Sequence, residues 1–136
     1  MIYLDTSMIV PLFLPEPRSK EAEGLIALRD VLVSDLAAAE FSSAIAMAVR
    51  TGRIQLQAAQ GVLTLFDDWT TDHAGAVETQ SEDFIEATAL IRRFDLALRT
   101  PDALHIAIAR RLDAKLLTFD SRMAAAALAL DFDSAP

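Results

Sequence analysis

Cysteine is absent from the chain, which removes disulfide frameworks, thiolate zinc sites and cysteine nucleophiles together. The chemistry must therefore rest on oxygen and nitrogen donors. Only four glycines occur, spread over the whole length, so there is no glycine-rich loop to cradle a phosphate. The two histidines, His73 and His105, do not share a ligand spacing, and zinc is not expected. Basic residues are scarce too. Twelve Lys and Arg against twenty Asp and Glu leave a net charge of −8. That balance argues against broad electrostatic binding to nucleic acid or to an anionic membrane, though not against a local basic patch. No uncharged apolar run of about 18 residues occurs, so no bilayer span is expected. The opening Met1-Ile2-Tyr3-Leu4-Asp5 lacks the basic segment of a secretory leader, and a cytoplasmic protein is the expectation.

What is present is apolar bulk. Of 136 residues, 53% are hydrophobic, above the usual 45–50%, and the length suits one domain over residues 1–136 with its own core. Hydrophobic patterning predicts strands at 2–4, 31–33 and 115–119, with further short ones at 76–78 and 131–132. Between them it predicts a short helix around Pro11 and helices at about 17–30, 34–52, 55–72, from Ser81, 100–112 and up to Leu130. Ser34-Asp35 caps one of these and Thr100-Pro101 opens another. Strands alternating with helices, without hairpin signals, imply an α/β fold whose central, mostly parallel sheet is covered on both faces.

Four acids stand where an acid is either costly or placed for work. Asp5 and Asp120 each follow a strand directly, in the related contexts Leu4-Asp5-Thr6-Ser7 and Phe119-Asp120-Ser121. In an open α/β sheet ligands bind beyond the carboxyl ends of the strands. The plainer reading is that both acids cap the following helices. Glu40 falls inside the apolar stripe Ala37, Phe41, Ala44, Ile45, Ala48 and Val49, so it projects inward and must be paired, protonated or metal-bound. No Lys or Arg lies within one turn of it on that face. Asp102 occupies the first turn of its helix, which the helix dipole alone explains. Acids converging without bases would repel one another, raising at least one carboxyl pKa, and a hard divalent cation would resolve that. His105, among Leu104, Ile106 and Ala107, reads as a satisfied, partly buried imidazole.

The segments Tyr3-Leu4-Asp5-Thr6-Ser7, Ser34 to Glu40, Arg99 to His105 and Leu116 to Ser121, in this order, resemble a PIN-domain ribonuclease of the VapC type, the toxin of a bacterial type II toxin–antitoxin pair. The resemblance spans residues 1 to about 123. It implies a three-layer α/β/α fold and a metal-dependent endoribonuclease that uses Mg²⁺ or Mn²⁺ to activate water for hydrolysis of RNA phosphodiester bonds. By that likeness Asp5, Glu40, Asp102 and Asp120 would be the catalytic, metal-binding acids, with Thr6 and Thr118 orienting them by hydrogen bonds. It also implies a homodimer and a cognate antitoxin. Arg92, Arg93 and Arg99, with Arg110 and Arg111, cluster in sequence around Asp102 and are candidate RNA phosphate contacts. Ile9, Leu12, Phe13 and Leu14, around Pro11, are expected to be surface left for association.

Other classes fit less well. A receiver-like signalling or phosphate-binding module would need an acceptor Asp ending a central strand about fifty residues in, where a long helix is predicted. A haloacid-dehalogenase-type phosphatase would need a second Asp two residues after Asp5, where Ser7 stands.

Overall fold

A computed structural model describes all residues, 1–136. The elements run β1 (Ile2–Leu4), α1 (Thr6–Phe13), α2 (Ser19–Ile26), β2 (Val31–Ser34), α3 (Asp35–Arg50), α4 (Leu56–His73), β3 (Ala74–Val77), α5 (Ser81–Ile91), a 3₁₀ turn (Phe94–Leu96), α6 (Thr100–Arg111), β4 (Lys115–Leu117), α7 (Ser121–Ala129) and β5 (Ser134–Ala135). The five strands form one sheet in the order β3-β2-β1-β4-β5, and every neighbouring pair is parallel. No helix is long and apolar enough to cross a membrane.

The strand pleat sorts the core into two halves, because successive side chains point to opposite faces. Tyr3 and Leu116 join Leu90, Leu104, Ile108 and Met123 on the face covered by α5, α6 and α7. Ile2, Leu4, Val31, Val33 and Leu117 join Met8, Ile9, Phe41 and Phe66 on the face covered by α1, α3 and α4. The expected three-layer α/β/α sandwich follows. Helix α6 is buried continuously from Asp102 to Ala109, and its small alanines allow the close approach to sheet and neighbouring helices that this position requires.

Several expectations change, among them the strand expected at 131–132, which forms at Ser134–Ala135 instead. The helix predicted over 17–30 stops at Ile26, since Leu28 adopts a left-handed backbone with φ 58°. The fourth strand ends at Leu117 rather than at 119: the Thr118 amide still donates to the Ala135 carbonyl, but the Thr118 hydroxyl and the Phe119 amide turn to the site described below. Ile9 and Leu14 are core residues and not free surface. Phe13 meets Phe41, Phe66 and Trp69 edge-on at centroid distances of 5.4, 5.5 and 5.6 Å, a geometry that favours aromatic pairs. The large apolar side chains left exposed lie elsewhere, among them Phe84, Ile85, Phe94 and Leu128.

The chain passes from β1 outward to β2 and β3, then returns to place β4 on the other side of β1. The strand order therefore reverses between β1 and β4, and a crevice opens beyond the carboxyl ends of strands at such a point.

Candidate functional site

The segments that leave β1 and β4 flank this switch point. Leu4 and Leu117 are in register, and the Asp5 amide donates to the Leu117 carbonyl. Asp5 is the N-cap of α1 and accepts from the Met8 amide. Its carboxylate is almost fully buried, at 3% exposure. The Ser7 hydroxyl lies 2.8 and 2.9 Å from its two oxygens, and the Thr118 hydroxyl donates to Oδ2 at 3.0 Å. All these donors are neutral. Burial raises the Asp5 carboxyl above the usual range, opposed only in part by the charge of His105 and by these hydrogen bonds. The expected raised carboxyl is thus present, with burial rather than repulsion among acids as the leading cause.

Glu40 reaches the same place from α3. The Thr6 hydroxyl donates to its Oε1 at 3.0 Å, and His105 Nε2 lies 2.5 Å from that oxygen. The base that the helix face lacked locally is therefore a histidine from α6. Burial would raise this carboxyl, but hydrogen bonding and charge from His105, the Thr6 hydroxyl and the charge of Arg99 outweigh it and lower the pKa. The two acids are pushed in opposite directions, a pattern that separates roles within a site. Thr6 and Thr118 thus each hydrogen-bond one of the two acids.

Asp102 and Asp120 are engaged differently. Asp102 closes the capping box of α6, accepting from the Arg99 amide at 3.1 Å and from Arg99 Nε at 3.4 Å. It precedes His105 by one helical turn, which puts both on one side of α6. Asp120 caps α7 through the Arg122 and Met123 amides, while its own amide donates to the Thr118 hydroxyl at 2.9 Å. Both amides bond Asp120 Oδ1, and Oδ2 takes no hydrogen bond from the protein. No three Asp, Glu or His side chains are grouped closely enough to hold an ion as they stand. In donor chemistry the site does fit a hard divalent cation: every candidate ligand is a carboxylate oxygen, and the buried Asp5 carboxylate has no Lys or Arg partner.

The arginines divide. Arg99 lies at the acids, but Arg93 pairs with Asp95, Arg110 with Glu86 and Arg111 with Asp83. Arg110 and Arg111 also stand roughly 13 Å down the α6 axis from Asp102 at 1.5 Å per residue, so the five do not line one track. Sequence reasoning missed Arg18, whose guanidinium lies 3.5 Å from the centroid of the Phe119 ring, between Thr118 and Asp120 in the chain. It also missed Ser7, which bonds Asp5 and accepts from the Phe119 amide at 2.7 Å. The nearby hydroxyl in Asp5-Thr6-Ser7 was the only available signal.

The family model for the PIN domain matches residues 2–128. Ribonuclease VapC3 of Pyrobaculum aerophilum is 29% identical over 124 residues, covering 90% of this chain and 92% of its own. Among solved structures, Mycobacterium tuberculosis VapC20, a sarcin-ricin loop cleaving toxin, superposes with TM-score 0.73 at 21% identity, over 93% of this chain and 95% of that one. A toxin–antitoxin complex from Klebsiella pneumoniae superposes with TM-score 0.60 at 19% identity, over 89% and 88%. At these identities the two structures are likenesses of fold.

Proposed function

The chain belongs to the PIN domain family, and on that premise we propose that it is a metal-dependent ribonuclease, the toxin of a toxin–antitoxin pair. The observation that carries this reading is the buried Asp5 carboxylate at the β1–β4 switch point, held by neutral donors and joined through Thr6 to Glu40. Asp5, Glu40 and Asp102 would hold Mg²⁺ or Mn²⁺, with Asp120 able to add its Oδ2 while Oδ1 stays on the α7 amides. When bound, the ion would supply Lewis acidity toward the scissile phosphate and lower the pKa of water.

The chain's own residues have separable tasks. Ser7 and Thr118 fix both oxygens of Asp5, so that its lone pairs face a defined direction. Thr6 and His105 fix Glu40. Arg99, whose guanidinium is largely exposed beside Asp102, offers positive charge where an RNA phosphate must enter an otherwise acidic molecule, whereas Arg18 at Phe119 is held by both oxygens of Glu21. Guanidinium groups suit this task, since they meet phosphate oxygens two at a time. Arg92, at the end of α5, is a more distant candidate. An antitoxin would supply cationic side chains to the acidic crevice, and a second copy of the chain would complete the toxin.

The test is cleavage of a labelled RNA pool by the purified protein with Mn²⁺ and with EDTA. Wild type should cut only with the metal. Asp5→Asn should lose at least about a hundredfold in rate, the scale on which losing one preorganised electrostatic group slows an enzyme, while keeping its circular dichroism. Undiminished cleavage by Asp5→Asn would overturn the reading.

A further inference from the structure

His105 is 2% exposed, and Tyr3 is wholly buried. Tyr3 and Leu32 are in register, and Ser34 lies two residues beyond Leu32, so the pleat turns Tyr3 and Ser34 to the same face. There they meet α6. The Tyr3 hydroxyl lies 2.7 Å from Ser34 Oγ and 2.7 Å from His105 Nδ1, and His105 Nε2 lies 2.5 Å from Glu40 Oε1. A carboxylate can only accept, so Nε2 is the donor in that last bond. Tyr3 bridges Ser34 Oγ and His105 Nδ1, so one continuous hydrogen-bond chain links Ser34, Tyr3, His105 and Glu40. Ser34 Oγ in turn accepts from the Ala37 amide that opens α3. The ends of β1 and β2, the start of α3 and the middle of α6 are thereby locked together. Every member is satisfied, as no buried side-chain nitrogen or oxygen lacks a partner.

A hydrophobic core does not need this network. Phenylalanine and leucine would fill the same volume without desolvating three polar groups, and half-satisfied networks cost more than apolar packing. The network ends on one group only, the half-buried carboxylate of Glu40. We propose that Tyr3 and His105 are positioning residues that hold Glu40 for the metal, so that ion affinity depends on a hydrogen-bond chain reaching across the sheet. This rests on the metal reading of the site given above. Partners that hold a metal's ligands typically change affinity by 10- to 100-fold when removed.

The experiment measures Mn²⁺ binding to the full chain without RNA, by electron paramagnetic resonance of the free ion, alongside the His105 ring signals in ¹⁵N NMR. His105→Leu should weaken Mn²⁺ binding by about 10- to 100-fold and Tyr3→Phe by about tenfold. His105→Gln keeps an N–H donor near Nε2 and should restore most of the loss, which a purely packing role would not produce. In wild type the His105 Hε2 proton should be visible and slow to exchange, and it should stay so when Mg²⁺ is added. If Glu40→Gln weakens binding while His105→Leu and Tyr3→Phe bind as wild type does, the positioning proposal falls and the metal reading stands. Should His105→Leu fail to fold, Tyr3→Phe decides the same question. If Glu40→Gln itself binds as wild type, Glu40 is no ligand and the positioning proposal falls, while the metal reading rests on Asp5. Disappearance of the Hε2 signal on adding Mg²⁺ would make the ring itself a ligand and overturn the positioning role.

Discussion

Thr118 shows how much a single hydroxyl can hold. Its Oγ1 donates to Asp5 Oδ2 and accepts from the Asp120 amide, and the residue is 1% exposed. Thr118→Val keeps the shape and leaves a buried carboxylate oxygen and an amide each short of a partner. Urea unfolding should show a loss of about 1–3 kcal/mol, with the Asp5 carboxyl pushed higher still. A variant as stable as wild type would mean that water replaces the hydroxyl. Thr118 was legible in the sequence through the family resemblance of the segment Leu116 to Ser121, not through its spacing. Arg18 was not, because its stacking on Phe119 joins the start of α2 to the segment after β4, two places far apart in the chain. Tyr3 and His105 were hidden for a similar reason. Each read alone as a core residue, and only the parallel register and the depth of α6 bring them together.

At the scale of elements, α5 and α6 are tied by an ion pair whose acid is buried and whose guanidinium is partly exposed. Arg111 donates to both Asp83 oxygens, at 2.7 and 2.9 Å, and to the Glu78 carbonyl at 3.0 Å, while Asp83 is 1% exposed. Burial alone would raise the Asp83 carboxyl, yet the Arg111 guanidinium and the Gln80 amide hold it below the usual range. A depressed acid contributes stability that is present above its unfolded pKa of about 3.9 and is lost as pH falls through its folded value. Arg111→Met strands that carboxylate in the core, so unfolding at pH 7 should show a loss of about 3–5 kcal/mol. The loss should shrink toward pH 4, where the stranded acid takes up a proton. A penalty constant over that range would assign the effect to packing. The elements themselves were largely readable, since apolar period, caps and the Thr100-Pro101 start set them. Their ends were not. Leu28 leaves the helical region without a glycine to announce it, and the predicted strand at 131–132 forms instead at Ser134–Ala135, where the register with β4 places it.

At the scale of the whole molecule, the site and the fold pull against each other. Burial raises the Asp5 carboxyl, so the folded state binds protons more tightly than the unfolded chain. Stability from that difference is full below the unfolded pKa of about 3.9 and is lost as pH rises through the folded value. Near pH 7.5 the ionised Asp5 is therefore a cost to the metal-free protein. Asp5→Asn mimics the protonated acid, and the Ser7 and Thr118 hydroxyls can rotate to accept from the new amide where they now donate. We expect metal-free Asp5→Asn to melt higher than metal-free wild type at pH 7.5, and the gap to close toward pH 4. An ion that binds only the folded state reverses the order. At a hundred times its Kd it adds roughly 2.7 kcal/mol, on the order of 10 °C for a domain of this length, to wild type and far less to the variant. Melting curves at both pH values, with EDTA and with excess Mn²⁺, read all of this from four samples of each protein. Equal metal-free melting points would mean that the neutral hydrogen bonds fully offset the burial of Asp5, and a shared response to Mn²⁺ would place the ion away from it.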